Sequence, residues 1–246
     1  MWRSGHVIVS GGQATFDVDS IVFDKDGTLI DLDSTWFGIT EAWISAVAVD
    51  SGEIEHLEQA LGLDNQGFLV PGGVAATGTF REIEHATRHA LAIDPSTVDD
   101  RLREAREIVA RAIPNLPVHP IGDVRATMAR LKANGLVLCV ASSDDQATIV
   151  RHLDQLQIAE FVSALIGGDG PVTPKPHPAS LWYLSDQVGI ATERMLMVGD
   201  SFTDLGAARR AGAAGILAVA PRRHPSPIEE LADGLIGSIQ EILVTG

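Results

Sequence analysis

The stretch Ile21-Val22-Phe23-Asp24-Lys25-Asp26-Gly27-Thr28 runs an apolar segment straight into two acids that flank a lysine. A buried carboxylate without a partner is costly or shifts its pKa strongly, so acids placed there need a reason. Three later segments also end on polar groups. The run LVLCVAS (136–142) closes on Ser142, with Ser143 behind it. Lys175 lies between prolines in Thr173-Pro174-Lys175-Pro176-His177-Pro178. The run RMLMVGD (194–200) delivers Asp200, and Asp204 follows one helical turn later. One carboxylate can attack while a second carries a proton. A lysine and a hard cation such as Mg²⁺ can offset the charge of oxyanions. These are the requirements of a phosphate ester undergoing substitution at phosphorus. Asp24 is the better nucleophile because it ends the strand, which leaves Asp26 to protonate the leaving alcohol and then to deprotonate water.

That chemistry works only if the four segments meet. From residue 121 the sequence alternates helical and strand-like stretches: a helix over 121–134, LVLCVAS, a helix over 144–156, FVSALIGG (161–168), a helix over 178–189, RMLMVGD, a helix over 202–212, and GILAVA (215–220). Such alternation predicts an α/β fold with a parallel sheet flanked by helices. Open sheets of this kind gather ligands at the carboxyl ends of their strands, which would bring all these groups to one edge. HVIVS (6–10) and ATFDVD (14–19) around Gly11-Gly12 predict a β-hairpin leading into the first core strand. Residues 32–114 differ, with helical patterns near 34–50, 53–61, 79–92 and 95–112. Thr79 and Glu82 suit a capping box, and Asp94-Pro95 an N-cap followed by proline at the first helical position. Ile113 to Pro117 reads as a linker. The domains are therefore expected as 1–31 with 115–246, and an inserted helical domain at 32–114.

The 246 residues are 45% hydrophobic, enough for a sizeable core, and 33 acids against 18 Lys and Arg give a net charge of −15. No basic patch stands out, which argues against nucleic acid as a partner. No run of about 18 apolar residues suggests a membrane span. No long apolar segment follows Arg3, so a secretory signal is not supported, and the cytoplasm is the default compartment. The single cysteine, Cys139, sits in an apolar run and reads as a packed thiol. Nothing in the pattern specifies an oligomeric state.

DKDGTL, VASS, KPHP and GDSFTD, in that order, resemble the four motifs of the haloacid dehalogenase (HAD) superfamily. The helical insertion after the first motif resembles that of phosphoglycolate phosphatase-like members with a helical C1-type cap. The resemblance implies a Rossmann-like catalytic core and a Mg²⁺-dependent phosphatase that acts on a small phosphorylated metabolite through an aspartyl-phosphate. It implies that Mg²⁺ is held by Asp24, the backbone carbonyl of Asp26, and Asp200. Ser142 and backbone amides would hold the phosphoryl group, Lys175 would bind phosphate and offset the acids, and Asp204 would orient neighbouring groups. Ser143 stands where the family often has asparagine. Two alternatives share the fold: a phosphomutase resembling β-phosphoglucomutase, and a non-catalytic binding protein.

Each residue also has a plainer reading. Asp200, Asp204 and Ser142 could cap helices. Lys175 could be a solvated loop residue. Lys25 should point away from its acidic neighbours if the pleat continues, which implies a surface or supporting position. His177 fits loop structure. His85 and His89 share a helix face with no third ligand nearby and read as solvated. Trp36 and Phe37 fit the core of the helical domain, and the loop from Pro71 to Gly78 has no assigned role.

Overall fold

The computed structural model describes residues 7–70, 72–113, 117–220 and 228–245. The chain forms two compact units, Met1–Ile30 with Pro120–Gly246, and Asp31–His119. Residues 114–116 of the expected linker, His6 at the start of the first strand, and Pro71 lie outside the described residues.

Strands β1 (Val7–Gly11) and β2 (Ala14–Val18) form the expected antiparallel hairpin, paired from Val7↔Val18 to Gly11↔Ala14. β3 (Ser20–Phe23) follows, and all four of its residues are buried.

The unit Asp31–His119 is helical: α1 (Leu32–Val47), α2 (Ser51–Leu61), a short α3 (Val74–Thr77) that the sequence did not announce, α4 (Phe80–Leu91) and α5 (Pro95–Ala112). Its helix starts are written locally. Asp31, Asp50 and Asp94 accept backbone N–H groups of the first turns, and Thr79 and Glu82 close a capping box. A cap of this kind is worth about 1 kcal/mol. The helices bury Trp43, Leu57, Leu61, Leu102 and Val109 in a common core, with Trp36 packed against it. Burying each large apolar side chain contributes about 1.5–3 kcal/mol. The Trp43 indole Nε1 donates to Thr87 Oγ1 at 3.0 Å, so the ring's one polar atom is satisfied. Phe37 stacks at a tilt on Phe68, with ring centroids 5.7 Å apart. His85 and His89 are exposed on α4, as a solvated face requires.

The other unit continues with α6 (Val124–Ala133), β4 (Val137–Ala141), α7 (Gln146–Gln155), β5 (Val162–Ile166), α8 (Ala179–Val188), β6 (Met195–Gly199), α9 (Phe202–Ala211), β7 (Gly215–Val219), α10 (Ile228–Leu231), β8 (Gly234–Ile236) and β9 (Leu243–Thr245). Six strands form one parallel sheet in the order β5-β4-β3-β6-β7-β8. Every residue of β3, β4, β6 and β7 is buried, as expected of parallel strands covered on both faces. β8 extends the expected sheet by one strand. β9 pairs with β1 (Val9↔Val244) and turns the hairpin into a separate three-stranded antiparallel sheet. From β3 the chain proceeds to β4 and β5 on one side, then crosses to β6 on the other. The strand order therefore reverses between β3 and β6, which opens a crevice at their carboxyl ends.

Candidate active site

The pairings Phe23↔Val140 and Phe23↔Val198 align the carboxyl ends of β3, β4 and β6. Asp24 continues the β3 ladder for one more bond, its N–H donating to the Val198 carbonyl at 2.8 Å. The backbone then coils tightly, with the N–H groups of Thr28, Leu29 and Ile30 all directed at the Lys25 carbonyl. Gly27 sits in that coil at φ +76°, and a Cβ there would lie 2.0 Å from Asp200 Oδ2. Only glycine permits both this backbone and this approach of the carboxylate. Gly199 serves similarly, because a Cβ on it would meet Asp204 Cγ at 2.4 Å.

Carboxylate oxygens of Asp24, Asp200 and Asp204 lie within 4.8 Å of one another. Lys175 Nζ donates to Asp24 Oδ1 at 2.7 Å and to Asp204 Oδ1 at 2.6 Å, with all three side chains buried. This excludes the solvated-loop reading of Lys175. Its loop is anchored by the Arg210 guanidinium, which donates to the Pro176 carbonyl at 2.9 Å, and by the His177 N–H, which donates to the Pro174 carbonyl at 3.0 Å. Asp204 Oδ2 accepts from the Ser201 N–H at 3.1 Å and from Ser201 Oγ at 2.6 Å. Asp204 therefore does cap α9, at its third position, while its other oxygen holds Lys175. The Asp200 carboxylate makes no hydrogen bond or ion pair with the described residues. Ser142, one residue beyond β4, is buried, and its Oγ accepts from the Asp144 N–H at 3.2 Å. It does not cap α7, since Asp145 does.

Burial raises the Asp24 carboxyl to about 7; Lys175 opposes the rise, and Asp204 and Asp26 add to it. Asp200 is pushed well above its ordinary value by burial and by the charges of Asp24 and Asp204. Burial works to lower the Lys175 ammonium, but Asp204 and Asp24 outweigh it and hold it above its ordinary value. These directions describe a site with excess negative charge that one lysine does not neutralise. The donor set is all oxygen, which suits a hard divalent cation.

Lys25 corrects the expectation drawn from the pleat. It is fully buried, with Nζ 2.6 Å from Asp26 Oδ2, 2.8 Å from Asp144 Oδ2 and 3.2 Å from His152 Nδ1. The strand ends at Phe23 and the backbone coils, so the alternation no longer sets the side chain's direction. Sequence reasoning missed Asp144 and His152. Asp144 lies two residues after Ser142, a spacing that could have flagged it, but nothing local marks His152 as buried.

A doubly wound α/β unit with acids and a lysine converging at its strand-order reversal defines a class of carboxylate-based enzymes. The model of the haloacid dehalogenase-like hydrolases matches residues 18–212. The chain belongs to this family. It is 43% identical over 90 residues to phosphoglycolate phosphatase of Yersinia pseudotuberculosis, a match covering 37% of this chain and 39% of that one. It is 31% identical over 192 residues to phosphoglycolate phosphatase of Pseudomonas savastanoi pv. phaseolicola, covering 75% and 66%. In both cases the match spans less than two thirds of the relative. In fold, it superposes with TM-score 0.70 on a predicted phosphoglycolate phosphatase from Haemophilus somnus 129PT, at 20% identity and covering 90% of this chain and 95% of that one.

Proposed function

We propose that this protein is a Mg²⁺-dependent phosphatase that hydrolyses a small phosphorylated metabolite through an aspartyl-phosphate, in the manner of a phosphoglycolate phosphatase. The observation that carries this reading is the buried Asp24–Lys175–Asp204 chain beside an Asp200 carboxylate that has no hydrogen-bond or ion-pair partner among the described residues.

Lys175 holds one oxygen of Asp24, which orients the other for attack on phosphorus. As the Asp24 O–P bond forms, the bond from phosphorus to the ester oxygen breaks, and Asp26 gives its proton to the departing alkoxide. Asp26 then takes a proton from the water that attacks the aspartyl-phosphate, releasing inorganic phosphate and restoring Asp24. Ser142 and backbone amides hold the phosphoryl oxygens through both steps, with Lys175 offsetting their charge. Mg²⁺, held by Asp24, the Asp26 backbone carbonyl and Asp200, would supply further neutralisation of phosphoryl charge when bound. All the residues named here lie outside Asp31–His119, and we assign substrate selection to that helical unit.

The test is a screen of phosphorylated metabolites for phosphate release with and without Mg²⁺. Release of phosphate from at least one small ester, lost in EDTA, is the expected result. Isomerised sugar phosphate without net release would establish a mutase instead. Tight binding with no turnover would establish a binding protein.

A further inference from the structure

The catalytic reading gives no role to Lys25, a fully buried lysine set among polar groups. Lys25 Nζ meets Asp26 Oδ2 at 2.6 Å, Asp144 Oδ2 at 2.8 Å and His152 Nδ1 at 3.2 Å. An ammonium donates and cannot accept, so the two carboxylates balance its charge and the imidazole nitrogen faces it as an acceptor. With Nδ1 accepting, the His152 proton is assigned to Nε2. Burial and the Lys25 charge push His152 down to about 4, which keeps it in the neutral form that can accept. The partners come from different places: Asp26 from the coil after β3, Asp144 from the loop after β4, and His152 from α7. Burying an ammonium carries a desolvation penalty of several kcal/mol, and replacing buried ion pairs by apolar groups is often neutral or stabilising. Packing alone therefore does not call for a lysine at this position. A lysine is required if a carboxylate must be held in one orientation.

We propose that Lys25 is a positioning residue: through Asp144 and His152 it ties the Asp26 carboxylate to the loop that carries Ser142, so that proton donor and phosphoryl-binding loop keep a fixed relation. The inference rests on the reading of Asp26 as general acid. Lys25 itself touches no reacting atom. Its effect is confined to the proton transfer that Asp26 performs, and a displacement of about 1 Å in a catalytic group can cost about 10²-fold in rate.

The test compares two substrates: an alkyl phosphate, whose departure needs a proton, and an activated aryl phosphate, whose departure does not. Asp26→Asn serves as the reference. Lys25→Met leaves two half-buried acids without their cation, so Lys25→Met/Asp144→Asn is made alongside it, with Asp144→Asn alone as a milder third variant that keeps the Lys25–Asp26 pair. Thermal melts establish that each is folded. The double variant should lose about 10²-fold in kcat on the alkyl ester and much less on the aryl ester, with KM little changed. Asp144→Asn should show the same selectivity to a smaller extent, and it gives the reading if the double variant does not fold. If Asp26→Asn is selective while the folded Lys25 and Asp144 variants lose both substrates equally, or lose neither, the positioning role is overturned. If Asp26→Asn itself shows no selectivity, the general-acid reading falls, and this inference with it.

Discussion

The carboxylate of Asp200 fills the space in which a side chain on residue 27 would begin. A Cβ on Gly27 would lie 2.0 Å from Asp200 Oδ2, in a backbone at φ +76°. The glycine of the first motif and the first acid of the last are thus one steric unit. Gly27→Ala should displace Asp200, strain the backbone by about 1–2 kcal/mol, and lower turnover by at least about 10²-fold. Loss of Mg²⁺-induced thermal stabilisation in a folded Gly27→Ala protein would confirm it; wild-type turnover would refute it.

Asp200→Asn should stabilise the metal-free protein while abolishing its response to Mg²⁺. The Asp200 carboxyl is raised by burial and by its acidic neighbours. A carboxyl raised on folding binds its proton more tightly when folded, so its contribution to stability falls as pH climbs above the unfolded value of 3.8. At neutral pH that loss is in force, and asparagine removes it. The expected gain is about 0.5–2 kcal/mol in EDTA at pH 7. Melts with and without Mg²⁺ read both effects. A destabilised EDTA form would contradict the charge balance described here.

Lys175→Met should be more damaging than its position between prolines suggests. It removes the only cation bonded to Asp24 and Asp204 among the described residues. Breaking such a buried pair on one side costs about 3–5 kcal/mol. The double variant Lys175→Met/Asp204→Asn should recover part of that stability and none of the activity. Chemical denaturation and phosphate release measure the two outcomes. Equal instability of the single and double variants would mean that the pairing is not what the lysine supplies.

His152 gives the α/β unit an acid-sensitive point. Burial, then Lys25, lowers it to about 4 from 6.5. A group depressed on folding contributes stability that is complete above its unfolded value and is lost as pH falls through the folded one. Between pH 6.5 and about 4, wild type should therefore lose stability relative to His152→Gln, by on the order of 1–2 kcal/mol. The Asp144 carboxyl, raised by burial to about 6, acts in the opposite direction in both proteins, so the difference between them is the measure. Parallel pH–stability curves would refute the assignment of a neutral buried imidazole.

The amino-acid sequence by itself determined most of the elements and which polar residues end the strands. Period and capping are local properties, so the hairpin, the capping box of Thr79 and Glu82, the Asp94 N-cap and the buried parallel strands were all legible, as were the polar groups that end those strands. Only the tertiary structure decided what lies beyond the reach of local pattern. β8 and β9 have three residues each, too few for a period to show, and β9 is defined by pairing with β1 at the far end of the chain. The pleat predicted the wrong direction for Lys25 because the strand stops at Phe23, and a coil closed by hydrogen bonds to the Lys25 carbonyl sets the direction instead. Asp144 and His152 surround that lysine because β4 lies beside β3, a neighbour relation that depends on strand order and is written in no single segment.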